Sequence, residues 1–203
     1  MHNKQPSNWT ILFRITALIL SMFLLSACST RDVQSELNGS TSQRLISHSI
    51  DDLVTRLDDP YLEALKGQKV FINSYFINHS LFKKYADKRL ALELKARFGA
   101  DIVDSQEASD QVMTVFYTSL ATDFDSFGIS IPFGYIPGVD ESTKLNILTL
   151  EMFHGVSEMY YYVGPTGTEN RSKVIHAKVK TDALGLPFIT IPLSSVDRHD
   201  SWF

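Results

Sequence analysis

Asp123-x-Asp125-x-x-Gly128 sets two carboxylates and a glycine at the spacing that opens a calcium loop. Such a loop needs further oxygen ligands at its fifth and twelfth positions. Phe127 and Gly134 stand there instead, so the spacing does not complete a cation site and no metal is expected. Gly128-Ile129-Ser130-Ile131-Pro132 starts like the turn that presents a nucleophilic serine, but proline occupies the place of the second glycine. No H-E-x-x-H and no phosphate-cradling G-x-x-x-x-G-K-[ST] occurs. The six histidines (2, 48, 79, 154, 176 and 199) are scattered, a pattern more typical of solvated or hydrogen-bonded imidazoles than of a catalytic set. Tyr160-Tyr161-Tyr162 could suggest a stacking platform. In a strand, however, Tyr160 and Tyr162 point away from Tyr161, so the triplet reads as core plus rim. No catalytic residue is assigned, and the expectation is a protein that is not an enzyme.

One reactive side chain remains, Cys28, the only cysteine in 203 residues. It follows Leu25-Ser26-Ala27, which closes an apolar run over residues 15–25 broken only by Thr16 and Ser21 and preceded by Lys4 and Arg14. Basic start, short apolar stretch and small residues are the order of a secretory signal. A helix of about 11 residues rises roughly 16 Å against the roughly 30 Å of a bilayer core, so the run is short for a permanent span. Leu25-Ser26-Ala27-Cys28 resembles the lipobox of bacterial lipoproteins. The resemblance implies cleavage before Cys28, a diacylglyceryl thioether on its sulfur and acylation, as by palmitate, of the new amino terminus. That covalent lipid is the only prosthetic group expected. A single acyl chain binds membranes reversibly and two or more hold stably, so Cys28 is expected to anchor the chain in a bilayer. Ser29 in place of Asp, by resemblance to lipoproteins of two-membraned bacteria, implies an outer-membrane address; the domain is expected to face the periplasm, an orientation that Ser29 does not decide.

Removal of residues 1–27 leaves 176, enough for one hydrophobic core, with no cysteine for disulfides. The formal charge of −4, without clustered basic segments, argues against nucleic acid as a partner. The N-x-[ST] matches at Asn8, Asn38, Asn78 and Asn170 are chance occurrences behind a bacterial anchor.

The elements that must carry the chemistry follow from periodicity. Residues 28–41 are small and polar and read as the lipidated cysteine with a flexible tether. Residues 42–197 read as one domain and 198–203 as a tail. Leu45, Ile46, Ile50, Leu53, Val54 and Leu57 form one helical stripe, capped by Ser or Thr near 40–42 and ended by Asp58-Asp59-Pro60. A short helical turn over 61–66 follows, stopped by Gly67. Residues 69–77 are a strand, 81–98 a helix whose wide apolar set suggests burial on two sides, and 100–103 a strand, which together make a βαβ unit. Residues 111–120, 145–153 and 156–163 read as strands, the last two joined by a tight turn at His154-Gly155. After the turn Gly164-Pro165-Thr166-Gly167, residues 173–180 alternate as a strand, and 186–193, with Pro187 and Pro192, suit an edge strand. The expected class is α+β, with helices on one face of a mixed, mostly antiparallel sheet containing one βαβ unit.

Residues 123–138 stand out as a long, apolar connection, the kind of segment that is often functional. Either it folds over the core, burying Ile129, Ile131, Phe133 and Tyr135 at alternate positions, or it is an exposed arm that docks a partner subunit or dips into lipid. In the second case Phe124, Phe127, Ile129, Ile131, Phe133, Tyr135 and Ile136 form the docking surface.

The lipobox, the early helix, the strand 69–76, Ile131-Pro132 and the ending Lys180-Thr181-Asp182-Ala183-Leu184-Gly185-Leu186-Pro187 with Ile191-Pro192 resemble a family of uncharacterised bacterial lipoproteins that share a domain of unknown function. The resemblance spans roughly residues 42–197 and transfers no catalytic residue. The function expected is a non-catalytic envelope or assembly component that binds envelope proteins or itself, such as an accessory of an outer-membrane secretion complex. The alternative is an anchored enzyme or ligand-binding protein acting on cell-wall or lipid material.

Overall fold

The structure is a computed structural model and describes residues 30–32, 39–58, 60–77, 81–132 and 144–194. Leu45, Ile46, Ile50, Leu53 and Val54 are buried along α1 (Ser40–Thr55), as their 3.6-residue spacing requires. The helix begins at Ser40 with Gly39 as its cap, and no side chain caps it. At its other end the Arg97 guanidinium donates to the carbonyls of Thr55, at 2.7 Å, and of Leu57, satisfying acceptors that a helix end leaves open. Pro60, expected only as a stop, opens the short α2 (Pro60–Glu63), where the missing amide costs no helical bond.

The βαβ unit forms as expected from β2 (Lys69–Tyr75), α3 (Leu81–Phe98) and β3 (Asp101–Val103), with β2 and β3 parallel from Lys69↔Asp101 to Phe71↔Val103. Within α3 only Ala86, Leu90 and Leu94 are buried, a single i, i+4, i+8 stripe. The two-sided burial expected of this helix does not occur, and Leu92 and Tyr85 stay exposed. Asp51 of α1 fixes how the two helices meet, accepting from Arg89 Nε at 2.5 Å and from the Tyr85 hydroxyl at 2.9 Å.

After a 3-10 turn (Gln106–Ala108) come β4 (Gln111–Pro132), β5 (Lys144–Gly164), β6 (Asn170–Arg171), β7 (Ile175–Gly185) and β8 (Thr190–Pro192). The stretch read as a tether contains β1 (Thr30–Asp32), which pairs with β4. The strand order is β3-β2-β4-β5-β7-β8, with β8 at the edge and β6 on β5. β2 also runs parallel to β4, from Val70↔Gln111 to Tyr75↔Phe116, while β6 is antiparallel to β5. The sheet is mixed and the architecture α+β.

Two strand expectations are corrected. Residues 123–132 are no loop; they continue β4. Nor is there a turn at His154-Gly155, because β5 passes straight through it with both residues buried. A Cβ on Gly155 would stand 2.2 Å from the carbonyl oxygen of Leu45, so this glycine is the place where α1 approaches the strand backbone. Two residues on, the buried hydroxyls of Ser157 and Ser49 hydrogen-bond at 2.7 Å, tying the same helix to the same strand.

The chain packs as two compact units. The larger comprises, of the described residues, 32, 39–124, 152–182 and 192–194. Its core joins Ile50, Leu53, Leu90 and Leu94 of the helices to Val115, Tyr117, Met159 and Tyr161 of the sheet. The buried alternation along β4 runs Met113, Val115, Tyr117 and then resumes at Leu120 and Thr122, a one-residue slip of the kind a bulge introduces. The smaller unit comprises 30–31, 125–132, 144–151 and 183–191 and contains no helix among its described residues.

Candidate functional site

In the smaller unit, Phe127, Ile129 and Ile131 lie at alternate positions of β4 and are 54%, 60% and 49% exposed. Between them Ser126, Gly128 and Ser130 supply only small side chains. The backbone at Gly128 has φ +151°, and a Cβ there would sit 2.2 Å from the Leu148 carbonyl oxygen of β5, so the two strands approach where only glycine fits. Gly185 of β7 plays the same part on the third segment, where a Cβ would meet Thr149 Oγ1 at 2.4 Å and Glu151 Oε1 at 2.8 Å. Asn146 donates to that Glu151 oxygen at 2.8 Å. A short turn closed by Leu186 N–H to Ile189 O at 2.9 Å then displays Phe188, which is 97% exposed.

Of the segment's candidate docking residues, Phe127, Ile129 and Ile131 therefore face outward, and burial of Ile129 and Ile131 over the core is overturned. Phe124 belongs to the larger unit, half-buried against Phe153 at 4.8 Å between centroids. Phe133, Tyr135 and Ile136 lie outside the described residues, as do Leu25, Ser26, Ala27 and Cys28. Sequence reasoning missed Ile147, Leu148, Phe188, Ile189 and Ile191, which are also exposed in this unit. Their signal was present in the apolar character of 145–150 and 186–191, but nothing local says which face of a strand lacks a cover.

Three other constellations of the larger unit have chemistry to weigh. Lys83 Nζ donates to Ser74 Oγ at 2.5 Å, the contact of a serine with a lysine base. The same nitrogen also donates to Asp87 Oδ2 at 2.9 Å, so the serine shares it with a carboxylate. Beside it the Tyr117 phenol is pushed well above its ordinary pKa, first by burial and then by the Asp87 carboxylate, and it stays neutral.

The second is aromatic. Tyr161 is fully buried, and on the opposite face Tyr160 joins Phe116 and Tyr75 in a ladder across three strands, with centroids 5.2 Å apart and planes within 15–17° of parallel. Rings at that spacing are offset-stacked and cover each other's faces. Arg171 lies 4.9 Å over Tyr160. The faces a sugar or base would stack on are therefore used largely within the protein.

The third is a groove of about 570 Å³ lined by, among others, Arg56, Tyr61, Tyr161, Arg171, Lys173 and Ile175. Its size suits a small ligand. Arg56, however, is bound to Asp52 at 2.6 Å and to the His176 carbonyl at 3.0 Å. The buried Ser172 hydroxyl accepts from the Tyr161 amide and donates to the Lys173 carbonyl, both at 2.9 Å.

Among the described residues no group of three or more His, Cys, Asp or Glu side chains could hold a metal ion. Asp123 and Asp125 sit in an extended strand, which cannot wrap a cation as a calcium loop does. No helix of the described residues is long and apolar enough to cross a membrane. Comparison of the chain with protein-family models and with curated proteins finds no match.

Proposed function

We propose that this chain is a non-catalytic, lipid-anchored envelope protein, held in the outer membrane through acylated Cys28, whose apolar strand arm contacts another component of the envelope. The observation that carries the reading is the outward row Phe127, Ile129 and Ile131 on β4, with Phe188 and Ile189 of the same unit also exposed. A row of exposed apolar side chains along one face of a strand normally marks a contact, since leaving it in water is unfavourable. The anchor rests on the sequence alone, on the order of basic start, short apolar run and Leu25-Ser26-Ala27-Cys28. Support for a non-catalytic role comes from Lys83, which donates to both Ser74 Oγ and Asp87 Oδ2.

Metabolic labelling with palmitate tests the anchor: wild type takes up label and fractionates with membranes, and Cys28→Ala loses both. Label retained by Cys28→Ala refutes the anchor. Photo-crosslinking tests the arm. A crosslinker replacing Ile129 is expected to form adducts with envelope lipid or protein in cells, whereas one replacing Leu92, also exposed but on α3, forms few. Equal yields from both sites refute the arm as the contact element.

The groove beside Tyr61 and Lys173 favours a second reading, an anchored ligand-binding protein or enzyme for cell-wall or lipid material. Muropeptides or phospholipid headgroups that raise the melting temperature of the wild type but not of Lys173→Glu would support it. No shift with any of them retires it.

A further inference from the structure

Resting on the lipid-anchor reading above, we infer that the surface the arm contacts is the bilayer itself, so that Phe127, Ile129 and Phe188 enter the interfacial region of the leaflet that holds the acyl chains of Cys28.

Chain length makes the first argument. Thr30 and Arg31 belong to the smaller unit, and β1 is paired to β4. Only Ser29 separates Cys28 from Thr30. Two residues of extended backbone span at most about 7 Å, so the acylated cysteine cannot stand further than that from the strand that opens the unit. The polar zone on each side of a bilayer core is itself about 5–7 Å deep. A unit held so closely lies on the membrane and cannot hang clear of the headgroups.

The unit's own surface makes the second. Of its residues whose burial is described, every exposed one other than Ser130 and Thr190 is apolar, while the side chains of Arg31, Asp140, Glu141 and Lys144 lie outside that description. Asp125 and Glu151 are half-buried, the latter holding Asn146. A protein–protein contact surrounds its apolar centre with a polar rim. A lipid contact needs no such rim, because hydrocarbon offers no partners to charges and penalises them. Residues Phe127, Ile129 and Ile131 alternate with Ser126, Gly128 and Ser130, so one edge of the strand can enter lipid while its backbone remains paired in the sheet.

The test uses acylated protein purified from membranes and carrying Ile129→Trp with Trp202→Phe; Trp9 leaves with the signal. Intact mass first establishes the acyl chains. The protein is then reconstituted into phosphatidylethanolamine and phosphatidylglycerol vesicles with brominated acyl chains, and Leu92→Trp in the same background serves as the reference. Bromolipid is expected to quench the indole at 129 about twofold or more over the reference, with a blue-shifted emission and weak quenching by aqueous iodide. Phe127→Trp, at a second exposed position of the same row, repeats the measurement independently of any local effect at 129. An acylated protein whose indoles at both positions are open to iodide overturns the inference and leaves the anchor standing. So do indoles shielded from iodide yet untouched by bromolipid, which would place a protein partner or a second copy on the arm. Absence of acyl mass overturns the anchor reading and this inference with it.

Discussion

The two units of this protein spend their apolar residues in opposite ways. In the larger, Leu45, Ile50, Leu53, Leu90, Leu94 and Met159 meet in a closed core, and the exposed face of α3 carries Lys84, Lys88 and Lys95. In the smaller, three strand segments close around Gly128 and Gly185, where side chains are absent, and Phe127, Ile129, Phe188 and Ile189 point outward. Helices account for the difference. A sheet face becomes a core only when another layer covers it, and the described helices all belong to the larger unit. The same residue types, in strands that run from one unit into the other, are core where helices cover them and stay exposed at Phe127, Ile129 and Ile131, where no described helix does.

That contrast breaks most readily by mutation. Leu53→Ala removes a fully buried side chain from the larger core and is expected to cost about 2–5 kcal/mol, read by chemical denaturation. Ile129→Ala, on the open face of the smaller unit, is expected to stay within about 0.5 kcal/mol of wild type. A comparable loss from Ile129→Ala would mean that its exposed position contributes to stability as a core position does, and the contrast would fail.

Base sharpens the description of the larger unit. Because burial raises the Tyr117 pKa above its unfolded value near 10, the unfolded chain releases this proton first as the solution becomes alkaline. The stability contributed by the neutral phenol is therefore complete below about pH 10 and declines above it. Tyr117→Phe is expected to flatten the alkaline limb of a stability-against-pH curve. An unchanged limb would show that other groups govern it.

The smallest effect concerns the turn after β5. Glu169 accepts from Thr166 Oγ1 at 2.6 Å, from the Thr166 amide at 3.0 Å and from the Thr168 amide at 2.9 Å, and these bonds lower its pKa to about 2. Its contribution is present above the ordinary carboxylate range near 4.5 and fades as pH falls toward 2. In an NMR titration the Thr166 and Thr168 amides are expected to shift with the low midpoint, and Glu169→Gln removes that transition. A midpoint near 4.5 would mean that the turn does not hold the carboxylate.

Much of the larger unit was legible in the sequence because its signals are local. The stripe from Leu45 to Val54, the βαβ pattern from Lys69 to Val103 and the glycine turn after β5 depend on residues within a few positions of one another. The candidate site was legible only in part. Phe127, Ile129 and Ile131 could be picked out as unusual, but alternation along a strand fits a buried face and an exposed face equally well. His154-Gly155 misled for a related reason: a glycine that admits a neighbouring helix leaves the same mark in the sequence as a glycine that makes a turn.

By itself the sequence determined the lengths and types of the main helices, the edge character of the proline-bearing strand and the expectation of a lipid anchor at Cys28, since these follow from composition and spacing along the chain. Tertiary structure decided that β5 runs unbroken past Leu45, that Tyr160, Phe116 and Tyr75 stack from three strands, and that Phe127 and Ile129 face outward. Each of those depends on which distant segment, if any, lies against a strand, and that is a property of the packed sheet that no local spacing encodes.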